Sequence, residues 1–114
     1  MADECLFCRM ASGAMAVPKL HDDELVFAIR DINPRAPVHI LVIPKEHVAD
    51  ARAVGDGHGA ALARMLAVAR TLAEADGLLE RGYRLAFNVG DDAGMTIHHL
   101  HMHVLGGRPL GPEG

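Results

Sequence analysis

The stretch His98-His99-Leu100-His101-Met102-His103-Val104-Leu105 places four of the chain's eight histidines within six consecutive positions. Successive side chains of a strand leave opposite faces. An extended reading therefore sets His99, His101 and His103 on one face and Leu100, Met102 and Val104 on the other. A strand rises ~3.3 Å per residue, so alternate imidazoles stand roughly 6 to 7 Å apart, a row one small anion long. The stretch is a chemical face backed by an apolar one.

Upstream, Gly90-Asp-Asp-Ala-Gly94-Met-Thr96 reads as a flexible turn feeding the histidine strand, with backbone N–H groups and a hydroxyl that suit an anion. Before it, Tyr83, Leu85, Phe87 and Val89 alternate with Arg84, Ala86 and Asn88, a second strand that starts at Gly82. From Ala60 to Asp76, Leu62, Met65, Leu66, Ala69, Leu72 and Ala73 follow the rhythm of one amphipathic helix lying on a sheet, with Arg64, Arg70 and Glu74 opposite. Asp56 is the expected N-cap and Gly77 the C′ residue. Val38 to Ile43 is almost continuously apolar between Pro37 and Pro44, the mark of a central strand buried on both sides and interrupted only by His39. Leu25, Phe27 and Ile29 alternate with Val26, Ala28 and Arg30, which predicts a half-buried strand ending at Asp31. The loop Asp31-Ile-Asn-Pro-Arg-Ala-Pro37 is stiffened by two prolines and can hold Asp31 and Ile32 at low entropic cost. Residues 18 to 23 predict a short edge strand, and Cys5 to Met15 a helical turn or two ended by Gly13. Residues 106–114 carry no core-forming pattern and read as a tail.

At 114 residues, half of them apolar, the chain is expected to be one domain over 1–114. The net charge of −4 and pI near 6.0, without a basic run, point away from nucleic acid and anionic membranes. No apolar stretch approaches the length of a membrane span. Asp3 and Glu4 stand where a secretory signal would need positive charge, so a cytoplasmic protein is expected. Cys5 and Cys8 form a C-x-x-C pair, which in a reducing compartment is a redox or metal pair more often than a disulfide. A thioredoxin-type motif would follow a strand and start a long helix, and neither is predicted here.

Two chemistries suit the histidines. An imidazole nitrogen can attack phosphorus while a protonated neighbour stabilises the oxyanions, or His99 and His101 with His39 can form a three-histidine catalytic zinc site. The second needs carboxylates to orient the rings, and only Asp31, Asp91 and Asp92 are at hand.

His99-Leu-His101-Met-His103-Val-Leu-Gly-Gly resembles the histidine triad (HIT) motif, and the Gly-Gly-Arg-Pro ending resembles the Hint branch, the purine nucleoside phosphoramidases. The likeness runs over nearly the whole chain: Leu-Phe-Cys8, Asp31-Ile-Asn-Pro-Arg-Ala-Pro-Val-His39, Leu-Val-Ile-Pro-Lys-Glu-His47, Gly82-Tyr-Arg and Asn88-Val-Gly. The resemblance implies an α+β protomer with a five-stranded, mainly antiparallel sheet, one long helix and a short N-terminal helix. It implies pairing into a ten-stranded sheet in a homodimer. It implies hydrolysis of nucleoside 5′-phosphoramidates, such as adenosine phosphoramidate or lysyl-AMP, through a nucleotidyl-histidine, and calls for no catalytic cofactor. Carried onto this chain, His101 is the nucleophile, His103 and Asn88 contact the phosphate, and Thr96 stands near the leaving group. His39 joins the histidine network and Asp31 takes the ribose hydroxyls. Phe7, Met10, Met15, Ile29, Ile32 and Leu41 line the purine slot, and Gly94 and Met95 belong to the phosphate turn. The same resemblance implies a structural zinc on Cys5, Cys8, His47 and His99, which would make His99 architectural rather than a catalytic acid. Departures from the family pattern are His98 in place of an apolar or aromatic residue, Ala16 where proline is common, and a tail, Pro109-Leu-Gly-Pro-Glu-Gly114, without an aromatic residue. The other functional readings are a nucleotide-binding interaction module with little catalysis and the zinc-dependent hydrolase.

Overall fold

The computed structural model describes residues 5–112, so the acidic pair Asp3 and Glu4 and the last two residues lie outside it. The chain runs α1 (Leu6–Ser12), β1 (His21–Asp22), β2 (Val26–Arg30), β3 (Val38–Pro44), α2 (Gly59–Ala75), β4 (Tyr83–Ala86) and β5 (Met102–Gly106). The five strands form one sheet in the order β1-β2-β3-β5-β4, and every pairing is antiparallel. This is the expected α+β architecture.

Alternation along the strands divides the core into two layers. Val26 and Ala28 of β2, Ile40 and Val42 of β3, and Met102 and Val104 of β5 meet Met65, Val68 and Ala69 of α2 on one side. Phe27, Ile29, Leu41 and Ile43 meet Phe7 and Met10 of α1 on the other. β2 is therefore buried on both faces up to Ile29, not half-buried, because its even-numbered side chains lie under α2. Helix α2 presents Met65, Val68, Ala69 and Ala73 to the sheet, while Leu66 is 53% exposed. Leu62, Met65, Ala69, Leu72 and Ala73 of the expected stripe are at least partly buried, and the helix is rolled only far enough for Val68 to replace Leu66.

Asp56 does not cap α2. It lies in a 3₁₀ turn, Asp56–His58, and His58 is the residue before the helix. The other end is as expected: Gly77 has φ 76°, its N–H donates to the Glu74 carbonyl, and the Leu78 N–H donates to the Ala73 carbonyl, which is the Schellman closure.

The histidine stretch is regular strand only from Met102. Val42 pairs with Met102, so continuing the ladder would put Pro44 opposite Leu100, and proline has no N–H to donate. Leu100 instead donates its N–H to the Val48 carbonyl at 2.6 Å. Strand β4 stops at Ala86 rather than Val89, where the Asn88 side-chain amide donates to the Ala93 carbonyl and closes the loop. Gly106 still pairs with Val38 and Tyr83, and Arg84 holds the Gly111 carbonyl at 2.8 Å, so the start of the tail is part of the fold.

Met65 is fully buried at the centre of the α2 interface and Arg70 is exposed on the opposite side. Met65→Ala is expected to cost about 2–5 kcal/mol and Arg70→Ala under about 0.5 kcal/mol, read from urea unfolding midpoints.

Candidate active site and metal-ligand cluster

Register places the site. Ile29 pairs with Leu41, Leu41 with His103, and His103 with Ala86, one row across four strands on the α1 side of the sheet. Two residues further along the same face come His39 on β3 and Asp31 just past β2, where the Asp31 N–H donates to the His39 carbonyl at 3.0 Å. Above this floor is a cleft of about 310 Å³, within the range of small-ligand pockets. Asp31, Ile32, Phe7, Met10, Ile29, Leu41, Asn88, Gly94, Met95, Thr96, His39, His101 and His103 all line it. Met15 does not: it packs against the Phe7 and Met10 cluster from outside the cleft, because Gly13 turns the chain away at the end of α1. His99 is also absent from the lining. Leu6, Arg30, Asn33, Arg35 and Ile97 join the lining without having been singled out in the sequence. Their positions beside Phe7, Ile32, Thr96 and in the proline loop were the only signal for them.

Backbone groups determine which nitrogen of each ring carries hydrogen. The Arg35 N–H donates to His39 Nδ1 at 3.1 Å, so in the neutral ring Nε2 holds the proton. That nitrogen stands 2.9 Å from His103 Nδ1 and 3.4 Å from Asp31 Oδ2. His103 Nδ1 is therefore an acceptor, and His103 Nε2–H is a donor. A carbonyl only accepts, so the 2.7 Å contact between His101 Nδ1 and the His99 carbonyl is a donation from the ring. The neutral His101 then carries its lone pair on Nε2. Burial, reinforced by His101 and His39, pushes His103 down to about 4. Burial also lowers His39, against the opposing pull of Asp31. Asp31 Oδ1 accepts the Asn33 N–H at 2.8 Å, which locks the carboxylate in an Asx turn at the cleft wall.

A second cluster lies behind the first. Cys5 Sγ, Cys8 Sγ, His47 Nδ1 and His99 Nδ1 all fall within 4.8 Å of one another and could hold a metal ion. His99 is fully buried, and its Nε2–H donates to the Pro44 carbonyl at 2.7 Å, which leaves the Nδ1 lone pair facing the cysteines. Nδ1 of His99 is 3.2 Å from His47 Nδ1, 3.2 Å from Cys5 Sγ and 3.5 Å from Cys8 Sγ. Tetrahedral zinc, with Zn–N near 2.0–2.1 Å and Zn–S near 2.3 Å, separates its ligand atoms by roughly 3.3 to 3.8 Å. The donor set and spacing fit that ion. The trio His39, His99 and His101 is not gathered, since His99 turns into this cluster while His39 pairs with His103. His98 is exposed and outside both groups.

Known proteins resemble this chain in both sequence and structure. The HIT domain matches residues 15–110. The purine nucleoside phosphoramidase of Escherichia coli strain K12 is 44% identical over 112 residues, 98% of this chain and 94% of that protein. A HIT family hydrolase from Legionella pneumophila superposes with a TM-score of 0.93 at 45% identity, covering 97% of this chain and 100% of that one. A zinc-bound histidine triad family protein from Mycobacterium smegmatis superposes with a TM-score of 0.80 at 32% identity, over 100% of this chain and 82% of that one. With its triad histidines on the sheet face that the register requires and the domain matched over most of its length, the chain belongs to the HIT domain family.

Proposed function

We propose that this protein is a purine nucleoside phosphoramidase that cleaves the P–N bond of nucleoside 5′-phosphoramidates. The observation that carries the reading is the His101 tautomer: Nδ1–H is spent on the His99 carbonyl, so Nε2 presents a lone pair at the cleft. That nitrogen attacks phosphorus as the P–N bond of the substrate breaks and the amine leaves with a proton taken from solvent; water then attacks phosphorus, the bond to His101 Nε2 breaks, and the monophosphate is released with the water's proton returned to solvent. The carbonyl at Nδ1–H stabilises the positive charge that develops on the ring. His103 is neutral near pH 7 and offers Nε2–H to a phosphate oxygen. Of the two N–H bonds of the Asn88 amide, one goes to Ala93 and the other remains for the same phosphate. Thr96 lines the leaving-group end. Asp31, fixed by Asn33 and His39, accepts the ribose hydroxyls, and Phe7, Met10, Ile29, Ile32 and Leu41 form the apolar slot for the purine. Ile32 is 91% exposed, as suits a side chain that closes over a flat base.

The Cys5, Cys8, His47 and His99 cluster is read as a structural zinc site, with His99 oriented by Pro44 as a metal-bound imidazole is by a carbonyl partner. Reduced thiols there suit a cytoplasmic setting, and no helix among the described residues is long and apolar enough to cross a membrane. Strand β4 is an open edge of the sheet, with its Leu85 and the following Phe87 about two-fifths exposed. Such an edge invites another strand, and pairing with the same edge of a second copy makes the ten-stranded dimer.

His101→Ala is expected to lower kcat/KM for a fluorogenic adenosine phosphoramidate at least about 10³-fold, and Asp31→Ala to raise KM about tenfold, ~1.4 kcal/mol of lost hydrogen bonding. Turnover by the alanine variant of His101 at more than a tenth of the parent rate would sink the covalent route. Native mass spectrometry should find two chains with two zinc ions, and Cys8→Ser should lose the zinc. A metal-free monomer from the parent chain would refute both assignments. His103 binds its proton near pH 6.5 when unfolded but at about 4 when folded. The unfolded chain thus holds more protons between those values, and stability must fall as pH drops through that window and level off below it. The loss from this group is at most about 3 kcal/mol, and His103→Gln should flatten it in urea melts from pH 7 to 4.

A further inference from the structure

Phe7 lies between the two cysteines of the C-x-x-C pair and is almost fully buried. Its ring stands edge-on to two imidazoles at once: His99 at 5.8 Å between centroids with an interplanar angle of 90°, and His101 at 5.2 Å and 70°. These rings belong to different sites. His99 Nδ1 faces the cysteines, whereas His101 lines the cleft. The two sites therefore meet in two places, through the 2.7 Å hydrogen bond from His101 Nδ1 to the His99 carbonyl and through the Phe7 ring wedged against both histidines.

The element carrying Phe7 has little stability of its own. Helix α1 spans seven residues, too short to persist unaided. Its start is held by the Cys8 N–H donating to Cys5 Sγ at 3.4 Å and by the contacts of both sulfurs with His99 and of Cys8 with His47. Thiol hydrogen bonds are weak, while a metal held by the same four atoms ties α1 to the segments bearing His47 and His99 by four strong bonds. Whatever fixes Cys5 and Cys8 also fixes Phe7, and Phe7 is packed on the ring proposed to attack phosphorus.

We propose that Phe7 is a positioning residue that couples metal binding at the Cys5, Cys8, His47 and His99 cluster to the orientation of His101, so that the metal raises turnover without touching substrate. The inference rests on the phosphoramidase reading for its kinetic consequence but not for its structural one. As a mere wall of the purine slot, Phe7 would affect KM. As a positioning residue it acts on kcat, because a misdirected Nε2 attacks less often from a substrate bound equally well.

The test is a cycle on the full chain, crossing Phe7→Leu with zinc removal by a chelator and scoring kcat, KM, zinc per chain and the imidazole ¹⁵N signals of His101. Leucine keeps an apolar side chain at the site and loses the aromatic edge. Phe7→Leu is expected to retain one zinc per chain and a cooperative melt, with kcat about tenfold lower, the size typical of groups that orient a site, and KM, which the leucine's apolar wall of the purine slot still supports, changed less than kcat. Zinc removal from the parent should give a similar fall in kcat, and the two changes together little more than either alone. In the spectra, the zinc-loaded parent should show one sharp Nδ1–H tautomer of His101, with exchange broadening after either change. Multiplicative losses, a loss of activity carried by a rise in KM alone, or His101 signals indifferent to both zinc and Phe7 overturn the coupling. If the parent hydrolyses no phosphoramidate while the His101 signals still respond to zinc and to Phe7→Leu, the activity assignment fails and the coupling stands.

Discussion

Everything at the site depends on the antiparallel register between β3 and β5. Leu41 faces His103 and His39 faces Leu105, and strand side chains alternate with a period of two. A slip of one residue would turn His101 and His103 under α2 and expose Met102 and Val104. The register is held by burial. Ile40, Val42, Met102 and Val104 are all at or near zero exposure under α2, and at roughly 25 cal/mol per Å² of apolar surface no slipped pairing could recover that burial. The packing of one face thus keeps the chemistry on the other.

On that scaffold the histidines become inequivalent through backbone groups, which set three rings directly and the fourth, His103, through His39. The Arg35 N–H, the His99 carbonyl and the Pro44 carbonyl each take one ring nitrogen, and every remaining tautomer follows. His39 passes a hydrogen bond to His103, His103 is left a donor at Nε2, His101 keeps a lone pair on Nε2, and His99 keeps one on Nδ1 beside two sulfurs. Backbone partners cannot change protonation state, so the assignment is built into the fold. The low basicity of His103 has a different origin: burial beside His101 and His39 favours the uncharged ring.

The proline loop and the cysteine helix supply the walls, and both lean on the same strands. Arg108 donates to the Arg35 carbonyl at 2.9 Å, so the Gly-Gly-Arg-Pro ending braces the loop whose N–H orients His39. Gly107, at φ 99°, makes that approach feasible, since a Cβ there would come within 2.9 Å of Pro37. The Cys5, Cys8, His47 and His99 cluster in turn joins the start of α1 to the turn after β3 and to the segment entering β5.

Much of this was legible from residues alone because the signals were local. The period-two histidines, the apolar run from Val38 to Ile43, the helix ending at Gly77 and the proline-stiffened Asp31 each announce themselves within a few positions. The family motif then supplied roles for His101, Asp31 and the C-x-x-C pair, and the structure gathers those residues as two adjoining groups. What the residues alone could not decide was anything set by distant partners. The even-numbered face of β2 is buried only because α2 returns over it, and Leu66 yields to Val68 because the helix is rolled by its neighbours. The histidine ladder starts late because Pro44 sits opposite Leu100, and Met15 leaves the cleft because Gly13 turns the chain. Tautomers are the clearest case: which nitrogen bears the proton is a property of the carbonyl or amide beside it, and those groups come from residues up to 55 positions away.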